Sequence, residues 1–515
     1  MGPFTMSLIL ISLTVVLLVW RYLRNNFTYW RKRGVPYVPF WESFVLSSTA
    51  MKKINIFEFF GMFYKALDGH RFGGAFQLVY PIIILRDPEL IKTVFIKAFS
   101  NFYDRNPPQD EKGDVFNRSQ IFQLTGEKWR TVRHKLSPAF SSAKLKIMHQ
   151  TLSGCAEDLN AHLQTLCSET GQTEIDVKEL MSDYTMDVIG AIALGIKCNS
   201  IKGENSEFKQ IVRAMFKFDG RRTIFATLEV IHPKLPRLLG LTSQHPEVEE
   251  FLLGITREAI EMRTDSESSS RRDFLQMLMN LRSQELQQRN ENPSGENREP
   301  DEPVFSEDIL VGAIGSFLSA GLEPVAAMLT FCLYELALHP DIQEKIYLEI
   351  KDIKGQTLND ISYEDLKKLR YTEQVMNETL RKYPVAGIMA RICTEPFKIP
   401  DSDVVVEKGM KVFVPLFSIQ RDPKYFPEPD KFDPERFSEE NIQNIVPGTY
   451  LPFGDGPRSC IAMRLALLDV KTMLIKMVSN YTLYPCARTQ RCLEFDKKLV
   501  SLNPASSLWI GVRKR

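Results

Sequence analysis

The chain has no tight cysteine pairs, no phosphate-cradling P-loop, no histidines at metal-ligand spacing, no internal repeat and almost no net charge. Each absence removes a class of function. Cysteines 155, 167, 198, 332, 393, 460, 486 and 492 are too scattered for a disulfide framework or a zinc site, and read as thiols of a reducing compartment. The missing P-loop removes the best-marked phosphate-binding motif. A formal charge of +1, from 65 basic and 64 acidic residues, argues against a bulk nucleic-acid binder. What remains is an ordinary globular composition, 44% hydrophobic and 25% charged over 515 residues, with ample length for a large core. Length alone gives a prior of about three domains. Only one linker-like stretch interrupts the chain, so a single large domain is equally consistent.

The N-terminus departs from that composition. Phe4 to Trp20 is mainly apolar, and continuing to Leu23 gives about 30 Å of helix at ~1.5 Å per residue. A cleaved signal peptide would carry basic residues before the apolar run. Here Arg21, Arg24, Arg31, Lys32 and Arg33 follow it, with no acid before Glu42. The positive-inside rule then predicts an uncleaved single-pass anchor over residues 1–25, with the body of the protein in the cytosol. Residues 26–40 read as a basic, proline-containing linker, stiffened at Gly34-Val35-Pro36-Tyr37-Val38-Pro39. Residues 41–515 would form the main domain.

Helical periodicity dominates that domain, so the expected fold class is mainly α with small β-sheets. Phe76 to Leu85 predicts two short strands around a turn at Pro81, and Val404 to Pro415 predicts further strands. Asp87-Pro88 predicts a capped helix start. Ser141 to Gly195 reads as helical. Ser266 to Ser270 reads as a polar tip, and Ser283 to Pro303 as a solvated loop. Ser306 to Leu338 reads as one long helix, with Ser306 as N-cap and Pro340 beyond its end.

Chemistry concentrates near Phe453-Gly454-Asp455-Gly456-Pro457-Arg458-Ser459-Cys460-Ile461-Ala462. A lone cysteine is usually a small buried hydrophobe. Here two glycines allow a sharp turn against a flat ligand, and Arg458 offers a cation to the thiol or to a carboxylate. A helix-like run from about Ala462 would set its N-terminus beside the sulfur and favour the thiolate.

The stretch resembles the FxxGxRxCxG haem loop of the cytochrome P-450 superfamily at Phe453, Gly456, Arg458 and Cys460, and departs from it at Ala462, where glycine is expected. The resemblance implies haem b (iron protoporphyrin IX) with Cys460 as the metal ligand, whose thiolate donates electron density to iron and favours O–O cleavage. Four further patterns follow in the family's order. Glu378 and Arg381 share a helix face; alone they read as an exposed pair worth a few tenths of a kcal/mol. With Arg436 in Pro434-Glu435-Arg436-Phe437 they match the family's structural cluster beneath the haem. Trp129 and Arg133 match its WxxxR element, and with Arg391 and Arg458 would reach the haem propionates. Ala320-Gly321-Leu322-Glu323 matches the oxygen-binding groove and proton-relay acid, but Pro324 stands where the family has threonine. A mid-helix proline predicts a kink and removes the relay hydroxyl.

Phe116, Ile121, Phe122, Phe317, Leu318 and Val385 to Met389 become substrate contacts by family position only; singly each reads as core. Phe216 to Phe225, with Arg221 and Arg222, reads as a lid. Detail such as Tyr184-Thr185-Met186-Asp187-Val188-Ile189-Gly190 resembles the clan of insect family-six and vertebrate family-three microsomal enzymes. The resemblance implies NADPH-driven monooxygenation of a small hydrophobic substrate, a flavoprotein reductase, a cytochrome b-type donor, contact with membrane lipid in the endoplasmic reticulum, and no nucleic acid. Pro324 keeps open a haem-thiolate peroxide isomerase or dehydratase, or a haem binder with little turnover.

Overall fold

A computed structural model describes residues 3–43, 55–107, 115–203, 207–216, 219–232, 234–264, 273–291, 304–355, 361–497 and 501–515. The principal helices are α1 (Pro3–Phe27), α2 (Ile56–Ala66), α3 (Pro88–Lys92), α4 (Gly126–Leu136), α5 (Ser142–Leu166), α6 (Val177–Ile189), α7 (Glu207–Phe216) and α8 (Gly220–Ile231). They continue with α9 (Pro246–Thr264), α10 (Phe274–Glu291), α11 (Glu307–Leu338), α12 (Pro340–Lys354), α13 (Arg370–Lys382) and α14 (Met463–Asn480). Among the described residues nine short strands complete the fold, which is mostly helical.

Strands β1 (Phe72–Gln77) and β2 (Tyr80–Leu85) form a hairpin. β2 runs parallel to β7 (Lys411–Val414), which pairs antiparallel with β4 (Met389–Ile392). β5 (Phe397–Lys398) pairs with β6 (Val405–Val406). In the third sheet β9 (Trp509–Lys514) lies between β3 (Gln172–Asp176) and β8 (Tyr481–Tyr484).

The expected turn at Pro81 falls earlier, where Leu78 takes φ +54°. Pro81 lies inside β2 opposite Phe76, and the pairing of β2 with β7 begins only at Ile82. The missing N–H therefore falls before the parallel ladder. Asp87 caps α3 through Leu90 N–H at 2.9 Å, with Pro88 at its first position. The polar run from Ser283 begins helical, because α10 extends to Glu291. Glu285 is buried there, accepting Val304 N–H at 2.8 Å and Phe305 N–H at 3.2 Å. The tip at Ser266–Ser270 lies outside the described residues. Gln172–Asp176, expected to be helical, is β3, because its partner arrives from the far C-terminus.

The described side chains of α1 are largely exposed, among them Leu10, Leu13, Val16, Leu17 and Leu18. The segment after it docks on the body. Trp30 is 1% exposed and donates to Ala75 O at 3.0 Å. A Cβ at Gly74 would stand 2.3 Å from the Trp30 ring, so only glycine fits. Among the described residues α11 has the length and apolarity to span a bilayer, but 72% of its apolar window is buried, which makes it a core helix.

Helices α5, α6, α11, α13 and α14 enclose the largest core cluster. Within it, Tyr184 donates to Asp469 Oδ1 at 2.6 Å, both residues being buried. Burial pushes the Asp469 carboxyl up to about 7, opposed by the Tyr184 hydrogen bond. Below the unfolded-state value both states hold the proton and no penalty arises. Between that value and about 7 only the unfolded state releases it, so stability falls as pH rises. The penalty reaches on the order of 4 kcal/mol above pH 7. Asp469→Asn, which keeps an oxygen acceptor and cannot ionise, is expected to gain stability over the wild type between pH 5 and 7. Denaturant midpoints across that range measure it; a difference independent of pH would refute the titration.

Candidate active site

The cysteine loop is shaped by two glycines with positive φ, Gly454 at +74° and Gly456 at +67°. At Gly456 a Cβ would lie 2.1 Å from Phe95 O, a contact that only glycine escapes. Cys460 N–H closes the loop on Phe453 O at 2.8 Å, and Ala462 is the N-cap position of α14. Burial raises the Cys460 thiol above its ordinary value, while the Ala462 N–H, Arg105 and Arg133 pull it down. The helix start therefore acts as expected. The cations that reach the sulfur are Arg105 and Arg133, not Arg458.

Arg458 is 1% exposed and turned toward other partners. It donates to Tyr103 O at 3.1 Å, Asp104 Oδ1 at 2.9 Å and Leu124 O at 2.9 Å. Its guanidinium lies 3.9 Å from the centre of the Trp129 ring. Arg105 donates to Arg458 O and lies over Phe122. Arg391 is 2% exposed and stacks on Phe95 at 4.3 Å. Burial lowers all four arginines. Arg105 falls to about 10, with Arg133 adding to the effect, and Arg458 falls to about 9, with Arg105 adding to it. Arg391 falls well below its ordinary value, pushed further by Arg105 and Arg458, whereas Cys460 opposes the fall at Arg133.

Four arginines, Arg391 and Arg458 buried and Arg105 and Arg133 partly accessible, therefore gather near the Cys460 thiol, with one carboxylate, Asp104, paired to Arg458. Arg391 Nε and Arg458 Nη1 are buried without a hydrogen-bond partner among the described residues. Buried donors and unbalanced cations of this kind demand an anion. Two propionates and a thiolate would supply three negative charges against the net three positive ones. The donor set fits a flat, dianionic cofactor held by sulfur. Trp129, Arg133, Arg391 and Arg458 are gathered here, together with Arg105, which the sequence did not single out.

Glu378 and Arg381 have fully buried side chains paired through two bonds, Nε to Oε2 at 2.8 Å and Nη2 to Oε1 at 2.7 Å. Arg436 approaches Glu378 Oε1 at 3.5 Å, and Asp433 N–H donates to the same oxygen at 2.9 Å. Burial raises the Glu378 carboxyl, with Arg381 opposing. Arg381 also donates to Gln420 O, and Gln420 Oε1 accepts Leu451 N–H at 3.3 Å, just before the cysteine loop.

Helix α11 continues through Pro324 without a break in its residue run. The buried run from Val325 to Ala337 holds one side, and the deprived carbonyl belongs to Ala320, an exposed residue. Gly321 packs on α6, where a Cβ would meet Ile189 Cδ1 at 2.4 Å. Burial raises the Glu323 carboxyl; Lys178 opposes, Asp496 adds, and the Asn503 side chain opposes. Of the expected lining residues, Phe317 is partly accessible and stacks on Phe274 at 4.6 Å, and Leu318 is fully buried. Phe116 is buried against Gly315. Ile121 and Met389 are partly accessible, Val385 is buried, and Phe122 is 52% exposed. In the expected lid, Arg221 and Arg222 bond to Gln244 O at 2.9 Å and Ser243 O at 3.1 Å, tying α8 to the following turn.

A cysteine loop facing a cluster of buried and partly buried arginines within a mostly helical core fits a haem-thiolate protein. A sequence profile described as Cytochrome P450 matches residues 39–510. The chain is 34% identical to cytochrome P450 6k1 of Blattella germanica, covering 97% of this chain and 95% of that protein. It is 32% identical to cytochrome P450 6j1 of the same organism, over 100% and 99% of the two chains. With probable cytochrome P450 6d4 of Drosophila melanogaster the identity is 31%, over 99% of each. The chain belongs to the cytochrome P450 family, haem-dependent monooxygenases.

Proposed function

We propose that the chain inserts one oxygen atom from O2 into a small hydrophobic substrate, using NADPH through a flavoprotein reductase, with a cytochrome b-type protein as accessory donor. The observation that carries this reading is the Cys460 thiol set among Arg105 and Arg133 beside buried, unpartnered donors of Arg391 and Arg458. Bound haem supplies the oxygen activation. Cys460 would hold the iron, and Trp129 with the four arginines would hold the propionates. Phe453, Gly456 and Ala462 shape the loop, and Glu378, Arg381 and Arg436 brace the ground beneath it. Ala320 and Gly321 would border the oxygen side, with Glu323 handling protons beside Pro324.

In this reading residues 1–25 anchor the protein in the endoplasmic reticulum membrane, 26–40 join anchor to body, and 41–515 form the cytosolic catalytic domain. The exposed apolar residues of α1 and the basic residues after it support that topology.

The purified protein with reductase, NADPH and a hydrophobic substrate panel tests the reading, against a lipid hydroperoxide without reductase. Oxygenated product from the first supports it. Hydroperoxide rearrangement alone would instead establish the isomerase or dehydratase that Pro324 favours, and neither activity would leave a haem binder. Pro324→Thr supplies the missing hydroxyl, so product per NADPH should rise severalfold with little change in substrate affinity. A wild type already tightly coupled would defeat that expectation.

A further inference from the structure

Proline has no N–H, so Pro324 inside α11 leaves the Ala320 carbonyl, one turn earlier, without its donor in the helix ladder. Hydroxyls elsewhere on the helix turn back to carbonyls of the preceding turn. Ser316 Oγ donates to Gly312 O at 2.7 Å, and Thr330 Oγ1 to Ala326 O at 2.7 Å. Pro324 offers Ala320 neither kind of bond. The hydroxyl next along the helix, that of Ser319, turns away from it, donating to Ser316 O at 3.3 Å on the N-terminal side. The deprived carbonyl also lies where α11 can be reached. Residues 309–316 and 325–337 are buried, whereas Ala320 is exposed and Ser319, Gly321, Glu323 and Pro324 are partly accessible. The side chains packed on this part of the helix are apolar, with Ile189 against Gly321 and Phe116 against Gly315. An acceptor in such surroundings discriminates between ligands, because one that covers it without giving a hydrogen leaves it desolvated and unpaired.

We propose that the Ala320 carbonyl is a docking acceptor for substrate, and that the favoured substrate is a hydrophobic molecule carrying a neutral alcohol. The inference rests on the monooxygenase reading above, in which Ala320 and Gly321 border the oxygen side of the site, and it narrows the substrate class. Three features select the ligand. A backbone carbonyl only accepts, so the ligand must bring the hydrogen. Four arginines gather at the site, so an ammonium donor is repelled and a neutral one preferred. The packing around this stretch is apolar, so the rest of the molecule is hydrocarbon. A ketone of the same skeleton has the oxygen but no hydrogen to give. Any residue other than proline at position 324 would fill one lone pair of Ala320 O with its own N–H, and the penalty on a ligand without a donor would vanish.

Optical titration of the haem-loaded, full-length protein in its ferric state tests the inference, with menthol against menthone and cyclododecanol against cyclododecanone as probes. Each pair shares a carbon skeleton and differs in whether its oxygen can donate. The wild type should bind each alcohol about tenfold more tightly than its ketone, the ratio expected of one hydrogen bond with a desolvation penalty behind it. Pro324→Ala restores the N–H and brings no oxygen, so both ratios should come close to one. Alanine favours the helix, and haem content per chain checks that this variant is folded. Pro324→Thr is unsuited to the comparison, because the hydroxyl it brings takes over from the carbonyl. Ser319→Ala should keep the wild-type ratios; their loss there would assign the preference to Ser319 and overturn the role of Ala320. Equal binding of alcohol and ketone by the wild type would overturn it, as would an unchanged preference in folded Pro324→Ala. Failure to form NADPH-dependent product from any probe would sink the monooxygenase reading separately, since the binding ratios are read without turnover.

Discussion

Cys460→Ser is expected to fold, to bind haem weakly, and to lose both the strongly red-shifted Soret band of the reduced carbon-monoxide complex and the monooxygenase activity. The backbone argues for folding, since Gly454, Gly456 and the Cys460 N–H bond to Phe453 O are untouched by the exchange. The arginines argue for residual binding, because the unpartnered donors of Arg391 and Arg458 are untouched by the exchange. The ligand itself is what disappears. A serine hydroxyl is a far weaker acid than a thiol, so Arg105, Arg133 and the Ala462 N–H cannot hold it as an anion. Altering outer partners of a metal ligand costs about 10–100-fold in affinity or activity; loss of the ligand should exceed that. Cys486→Ser and Cys492→Ser, changed as controls, should keep the band. If Cys460→Ser retains the red-shifted band in a folded protein, another cysteine is the ligand.

What could be read from the sequence was local. The Asp87–Pro88 helix start needs only a cap and a fixed φ, and both lie within two residues. The long helix ending near Leu338 was legible because its apolar run and its flanking Ser306 and Pro340 are contiguous. β3 was not legible, since its register is dictated by β9 at the opposite end of the chain. Nor was the helical stretch from Ser283 to Glu291, whose polar composition conceals a buried Glu285 that binds two distant amides. In the site, Cys460, Trp129, Arg133, Arg391 and Arg458 stood out through a family pattern. Arg105 did not, because it lies in a loop without periodicity, and its tie to Arg458 crosses most of the chain. Sequence spacing shows which residues share a helix face, whereas packing decides what that face meets.

Glu378→Ala is expected to cost about 3–5 kcal/mol and most of the bound haem, because it strands buried charge. Arg381 and Glu378 are both 0% exposed, so neither charge can recover its loss in water. Without the carboxylate, Arg381 keeps only carbonyl acceptors at Pro429, Gln420 and Lys431, and the Asp433 N–H loses its acceptor. Against a typical stability of about 5–15 kcal/mol, such a loss is a large fraction. The consequence should reach the cysteine loop through two links. Gln420 joins the cluster to Leu451, and Tyr450 OH donates to Asn377 Oδ1, one residue before Glu378, at 3.0 Å. Glu378→Gln, which still accepts one bond but carries no charge, should fall between the wild type and alanine. Removing both charges in Glu378→Leu/Arg381→Met should cost less than the sum of the single changes, because no unpaired ion is then left in the core. Denaturant midpoints together with haem content per chain measure these proteins and the single variants Glu378→Leu and Arg381→Met. Wild-type values of both for Glu378→Ala would show that the pair is dispensable, and would remove this cluster as the brace beneath the haem loop.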